Sequence, residues 1–166
     1  MIALEGPAAW PQRRLEAQQP LLRTLLVEAG IDPGGSDAAL EQAMAALCRT
    51  LEDGRGRWLL DPGHAAARSE LAVSGWIEGR LVNGVIDRCF VDEAGALWIV
   101  DYKAGRHEGG ELEAFLDRER ERYHAQLERY ARLMAPHHPG PIRLGLYFPQ
   151  HAGWREWGSD AGAAPR

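Results

Sequence analysis

Two apolar segments joined by a short turn sequence constrain the fold more than any other feature of this chain. Residues 81–91 and 97–103 flank Asp92-Glu93-Ala94-Gly95, and a third segment, residues 70–76, precedes Glu78-Gly79. Acidic residues followed by glycine favour tight turns between strands. The pattern therefore predicts a meander of three antiparallel strands.

Helical patterns surround the three strands. Residues 13–29 predict a helix interrupted at Pro20, and a second helix begins after Ser36 as N-cap and stops at Asp53-Gly54. A long helix is predicted over residues 111–134, followed by a strand at 142–148 and a hairpin partner at 154–157. This order predicts an α/β sandwich, with a mixed central sheet flanked by helices.

The length of 166 residues predicts one domain at residues 1–158, with a helical part at 1–62, a core at 63–158 and a flexible tail at 159–166. No long apolar run or signal peptide is present, so we expect a cytoplasmic protein without a membrane partner. Cys48 and Cys89 lack metal or disulfide spacing, which predicts two reduced core cysteines. The net charge of −5 implies that any contact with DNA is local.

Two acidic residues and one lysine are the candidate chemical groups. A hairpin centred on Ala94 places Asp87 opposite Asp101, with β-carbons roughly 5 Å apart, and Lys103 follows on the same face. Opposed carboxylates favour a bound cation, and Mg²⁺ prefers such oxygen ligands. A lysine beside the metal would orient water or offset charge on a phosphate, which predicts phosphodiester hydrolysis.

Lys103 is the single lysine among 19 basic residues. Chance in an arginine-rich chain is one explanation, and a site that needs a compact ammonium is the other. The acidic residues could also form surface ion pairs with Arg88 and Lys103. The apolar neighbours of Asp87 and Asp101 instead favour a covered sheet, where charges are costly unless paired or metal-bound.

Three ordered motifs carry a family resemblance: Gly84-Val85-Ile86-Asp87-Arg88, Ile99-Val100-Asp101-Tyr102-Lys103 and Gln126-Leu127-Glu128-Arg129-Tyr130. They resemble motifs of RecB/AddA-type nuclease domains of the PD-(D/E)xK superfamily, over residues 13–157. The resemblance implies a restriction-endonuclease-like sandwich, the C-terminal domain of a UvrD/Rep-like helicase-nuclease. It also implies a Mg²⁺-dependent exonuclease, with Mn²⁺ as an alternative, that cleaves single-stranded DNA in double-strand break repair. Its partners would be a helicase domain in the same parent chain and a subunit of a helicase-nuclease complex.

The resemblance assigns roles to individual residues. Asp87, Asp101 and Lys103 would be catalytic, and the two aspartates with the Tyr102 backbone carbonyl would bind the metal. The DNA-binding or supporting residues would be Gln126, Tyr130, Arg88 and Glu70. Alternatively, Tyr123, Leu127, Tyr130 and Met134 form a buried helix stripe, and Glu70 lies at a solvated strand end.

One departure from the family opens further alternatives. Family members carry an N-terminal histidine ligand, whereas the upstream histidine here, His64, follows Pro62-Gly63 and is predicted to lie on the surface. The chain could thus be a truncated fragment, or an inactive nuclease-fold module for DNA binding or protein docking. An unrelated α/β domain with surface ion pairs is a third possibility.

Overall fold

A computed structural model of the chain describes residues 15–32, 35–105, 107 and 109–162. The chain divides into two compact units, residues 1–61 with 149–152 and residues 62–148 with 153–166. None of the helices in the described part is long and apolar enough to cross a membrane.

The first unit contains helices α1 (Gln19–Glu28), α2 (Ser36–Glu52) and α3 (Gly54–Leu60). Residues 15–16 are helical and 17–18 form a turn, so the predicted interruption is observed just before Pro20, which lies in the first turn of α1, where the amide that proline lacks has no helical partner. Helix α2 ends as predicted, although its N-cap is Gly35 and not Ser36. Asp53 then caps α3, which the sequence interpretation missed, by accepting a hydrogen bond from the Gly56 amide at 2.8 Å.

The second unit contains a five-stranded mixed sheet and one long helix. Its elements are β1 (Ala65–Ile77), β2 (Arg80–Val91), β3 (Leu97–Tyr102), α4 (Leu112–Met134), β4 (Ile142–Phe148) and β5 (Gly153–Gly158). The strands lie in the order β1-β2-β3-β4-β5; β3 and β4 are parallel, and the other neighbours are antiparallel. Helix α4 is the crossover that a parallel connection requires.

The predicted register of the β2–β3 hairpin is confirmed. Arg88 pairs with Val100, and Phe90 pairs with Trp98, as a turn centred on Ala94 requires. Strand β3 is the middle strand, and its residues from Leu97 to Asp101 are all buried. The expectation of a central, covered sheet is thus also confirmed.

Helix α4 packs on the sheet through an apolar face that includes Leu127 and Ala131, both 0% exposed. Two glycines allow this close approach. A β-carbon at Gly84 would overlap the ring of Tyr130, and one at Gly75 would lie 2.8 Å from Leu133. The side of β1 and β2 that carries these glycines therefore faces α4.

Several positions differ from the sequence predictions. His64 lies in the loop before β1 as predicted, but it is half-buried, because its ring stacks on Phe90 at 4.0 Å. Cys48 is half-buried and not a core residue, whereas Cys89 is buried as predicted. At the start of the expected tail, the Ser159 hydroxyl donates to Glu128 at 2.7 Å, and a 3-10 turn follows at Asp160–Gly162. Residues 163–166 lie outside the described part of the chain.

Candidate active site at the end of the central strand

A buried ion pair stands where β3 leaves the sheet. Lys103 Nζ lies 2.6 Å from Asp101 Oδ2, and the two side chains are 19% and 7% exposed. Asp101 lies in β3 and Lys103 comes just after it, and both side chains are largely buried, so this is not the exposed ion pair considered from the sequence. Breaking such a pair would leave a buried charge without compensation, which makes its placement energetically significant.

Extending the β2–β3 register by one step beyond its last pair, Arg88 with Val100, places Asp87 opposite Asp101. Its Oδ2 atom accepts a hydrogen bond from the Tyr102 backbone amide at 2.8 Å. The Asp87 carboxylate thus accepts a hydrogen bond from the backbone amide at the point where the backbone pairing of β2 with β3 ends. This hydrogen bond ties Asp87 to the segment that carries Asp101 and Lys103.

The site holds negative charge in a poorly solvated place. Burial raises the pKa of the Asp101 carboxyl; the Lys103 ammonium offsets part of that rise, and the charge of Asp87 adds to it. Two carboxylates and one ammonium leave a formal charge of about −1. Because an extra positive charge would relieve the repulsion between the carboxylates, the arrangement favours a cation.

The donor set fits a hard divalent cation. Asp101 Oδ2 is buried and makes no hydrogen bond of good geometry within the described residues, although it contacts Lys103. No group of three or more His, Cys, Asp or Glu side chains in the described part of the chain could hold a metal. A cation between Asp87 and Asp101 would therefore complete its shell with backbone, water or substrate oxygens, as Mg²⁺ commonly does.

Tyr102 contributes to the site through its backbone. Burial raises the pKa of its phenol to about 12, and its ring meets Tyr147 edge-on at 6.3 Å. The phenol thus stays protonated near neutral pH and cannot act as a base. The next amide, that of Lys103, donates to the Tyr147 carbonyl at 2.9 Å, which continues the β3–β4 pairing past the end of β3.

Helix α4 adds an aromatic ring that the sequence analysis assigned only to the core. Lys103 Nζ lies 3.7 Å from the centre of the Tyr123 ring. Tyr123 precedes Gln126 by three residues and therefore shares its helix face, which was the available sequence signal. The contact itself depends on how α4 crosses the sheet.

Gln126 and Tyr130 are brought together. Gln126 Nε2 donates to the Tyr130 hydroxyl at 3.2 Å, and the Tyr130 ring lies in the core against Gly84 with 9% of the residue exposed. The predicted stripe is observed, since Leu127 and Tyr130 are buried and Tyr123 and Met134 pack against them. A buried ring fits the supporting role expected of Tyr130 better than direct DNA binding, and Gln126 is half-buried.

Glu70 and Arg88 lie at the margin of the candidate active site. Glu70 would stand opposite Asp87 by the β1–β2 register, but it is exposed and has a positive φ of 50°. It does not join Asp87 and Asp101 in a three-carboxylate metal cluster of the described residues. Arg88 Nη1 donates to the Ser69 hydroxyl at 3.3 Å, and its guanidinium lies 5.8 Å from the Phe90 ring.

Comparison with known proteins establishes the family. The model of the PD-(D/E)XK nuclease superfamily matches residues 4–162. The chain therefore belongs to the PD-(D/E)XK nuclease superfamily, and its mixed sheet with flanking helices is the α/β fold expected of it.

No curated protein matches the sequence. Among solved structures, the crystal structure of SSO0001 is similar, with 14% identity and a TM-score of 0.39. The match covers 88% of this chain and 62% of that protein, so this chain spans less than two thirds of the other.

Proposed function

We propose that this chain is the nuclease domain, residues 1–158, of a RecB/AddA-like helicase-nuclease and cleaves single-stranded DNA with Mg²⁺ or Mn²⁺. The observation that carries the proposal is the buried Asp101–Lys103 pair beside Asp87, in a member of a nuclease superfamily. The motif order supports the RecB/AddA type. A UvrD/Rep-like helicase in the parent chain, a partner subunit, exonuclease action and a role in double-strand break repair follow from the same resemblance.

The proposed roles follow from chemistry and position. Asp87, Asp101 and the Tyr102 carbonyl would hold the metal, which when bound polarises the phosphodiester and lowers the pKa of a water molecule. The Tyr102 amide holds the Asp87 carboxylate in place. Lys103 supplies a fixed positive charge for the phosphate oxygens as negative charge develops on them, without reorganisation of solvent.

The strand would be held by local polar contacts, because a chain with a net charge of −5 offers no general basic surface. Gln126 is half-buried on the α4 face that carries Tyr123, and its side-chain oxygen can still accept a hydrogen bond besides the bond that its nitrogen donates to Tyr130. Arg88 directly follows Asp87 on β2 and is the proposed cationic contact with the DNA strand. Glu70 remains a supporting residue in this proposal.

Cleavage of a labelled single strand by Lys103 variants tests the catalytic assignment. Lys103→Ala should lower the cleavage rate by about 10²- to 10³-fold, a loss typical for removing one preorganised transition-state contact. Lys103→Arg should also be strongly impaired, because the planar guanidinium cannot occupy the same point. DNA binding by both variants should stay near that of the wild type. Full activity of the arginine variant would remove Lys103 from the mechanism.

Metal titration by calorimetry tests the ligand assignment separately. Asp101→Asn should weaken Mn²⁺ binding more than about tenfold, since a buried anionic ligand is replaced by a neutral one. Asp37→Asn is the matched control, because the Asp37 side chain is 81% exposed and lies in the first unit. Equal affinity of wild type and Asp101→Asn would contradict the proposal.

A non-cleaving module for DNA binding or protein docking is the second candidate. The lack of a third metal-binding side chain in the described residues favours it. Under this alternative, the chain would bind DNA without divalent metal and would release no product with Mn²⁺. Wild-type cleavage that is lost on chelation would exclude it.

A further inference from the structure

The Lys103 ammonium lies between two different partners. Asp101 Oδ2 is 2.6 Å from Nζ on one side, and the centre of the Tyr123 ring is 3.7 Å away. An ammonium within about 6 Å of an aromatic ring centre is attracted by the electron density of the ring face, most strongly where water is excluded. The Lys103 side chain is 19% exposed, so this contact is largely shielded.

The Tyr123 ring has no evident second polar role. Within the described residues its hydroxyl makes no hydrogen bond, and the residue packs against the hydrophobic core. The guanidinium of Arg122 also lies over this ring, but at 5.3 Å and on a side chain that is 68% exposed. The shorter, more buried contact with Lys103 is therefore the stronger one.

We propose that Tyr123 is a positioning residue that holds the Lys103 ammonium at the active site by a cation–π contact. A lysine has four flexible carbons, and ordering them costs conformational entropy. Asp101 alone is a weak anchor if its oxygen also serves a metal, as the proposed function requires. A ring face offers no oxygen ligand, so Tyr123 fixes the ammonium without competing for a hard cation.

The solitary status of Lys103 makes the contact directly measurable. Protein labelled with ¹³C- and ¹⁵N-lysine gives one set of lysine NMR signals, because Lys103 is the only lysine. We expect its side-chain methylene protons to be shifted upfield by the ring in the metal-free protein. Tyr123→Leu should abolish the shift, whereas Tyr123→Phe and the matched control Arg122→Gln should keep it.

Kinetics test the consequence of the contact, and this part rests on the proposed function. Tyr123→Leu should lower kcat between about twofold and thirtyfold, the range that a cation–π contact supplies. KM for the DNA strand should change little, and the variant should still melt in one cooperative transition, although at a lower temperature because Tyr123 packs against the core. Tyr123→Phe should retain wild-type kcat, since the hydroxyl makes no hydrogen bond with any residue that the structure describes.

Fluorinated phenylalanines at position 123 separate ring electrostatics from ring shape. Each added fluorine withdraws electron density with little change in size, so kcat should fall stepwise and the upfield shift should persist. A flat kcat series in an active enzyme would overturn the proposal. Lysine signals without an upfield shift in the wild type would overturn it independently of activity. An inactive wild type with the shift present would instead contradict the proposed nuclease and leave the contact established.

Discussion

The two ends of strand β2 lie in different environments. Near β3, Cys89 and Phe90 are 2% and 0% exposed, whereas Leu81 and Val85, on the part that pairs only with β1, are 55% and 45% exposed. The outer part is covered by α4 on the side of Gly84, and Trp76 on the other side is 73% exposed. The apolar content of a strand therefore does not by itself determine how buried its residues are. Burial depends on how many strands lie beside it and how many of its faces are covered.

Asp87 stands at the boundary between these two parts. It lies two residues after Val85, the last exposed residue of β2, and two residues before the buried Cys89, at the point where pairing with β3 ends. Its carboxylate is half-buried and accepts the Tyr102 amide. This boundary holds the Asp87 carboxylate close to the buried Asp101 while leaving it partly exposed to solvent.

The same substitution on the two sides of this boundary should have unequal effects. Leu97→Ala, in β3, should lower the free energy of unfolding by about 2–5 kcal/mol, because Leu97 is 5% exposed and its removal leaves a cavity. Leu81→Ala should cost about 0.2–1 kcal/mol, the range of a cross-strand pair such as that with Trp76. Urea unfolding measures both. Equal losses would show that the outer hairpin is covered in solution.

A glycine tests how tightly α4 covers the outer part. Gly84→Ala should lower the free energy of unfolding by about 1–3 kcal/mol, since the new methyl group overlaps the buried Tyr130 ring. Gly158→Ala is the matched control in the same sheet, because no atom lies within 4 Å of its added methyl group. Thermal melting of both variants checks the prediction. An unchanged melting temperature in Gly84→Ala would mean that α4 packs loosely against the sheet at this position.

The sequence predicted the local and periodic features well. The Ala94-centred turn determined the β2–β3 register, and thus the opposition of Asp87 and Asp101, because side chains alternate along a strand. Helix α3 was missed because Asp53-Gly54 both ends α2 and begins α3. An aspartate followed by glycine is found at helix ends and at helix starts alike, so the sequence pattern does not distinguish the two.

Contacts between distant elements were not predictable in the same way. The Lys103–Tyr123 contact depends on the crossing of α4 over the sheet, which no local spacing encodes. The buried position of Tyr130 likewise depends on the space that Gly84 leaves on a neighbouring element. Burial of Asp101 was inferred correctly from apolar neighbours, since those neighbours determine how many faces a strand has covered.

The link between Gln126 and Tyr130 separates a structural from a binding role on α4. Gln126→Ala and Tyr130→Phe should each cost about 0.5–1.5 kcal/mol or less, because each removes one hydrogen bond. If Gln126 also contacts the DNA strand, only Gln126→Ala should weaken single-strand binding. Fluorescence anisotropy with a labelled strand measures this. Equal weakening by both variants would indicate that the pair acts only through the shape of α4.

Cys89, in the covered part of β2, gives the smallest expected effect. Burial raises the pKa of its thiol, although Arg88 and Arg68 oppose the rise, so less thiolate is present at a given pH. Because thiolate is the reactive form, Cys89 in a Cys48→Ser background should react with a thiol reagent much more slowly when folded than in urea.

The raised pKa of the Cys89 thiol also predicts the direction in which the free energy of unfolding changes with pH. Below the unfolded value of about 8.5 both states hold the proton, so the thiol does not change stability with pH there. Above it the unfolded thiol ionises first, and unfolding becomes easier until pH passes the folded pKa. The urea midpoint should therefore decline more between pH 8 and 10 in the Cys48→Ser protein than in the same protein with Cys89→Ala. Parallel declines, or rapid labelling of folded Cys89, would mean that solvent reaches the covered part of β2.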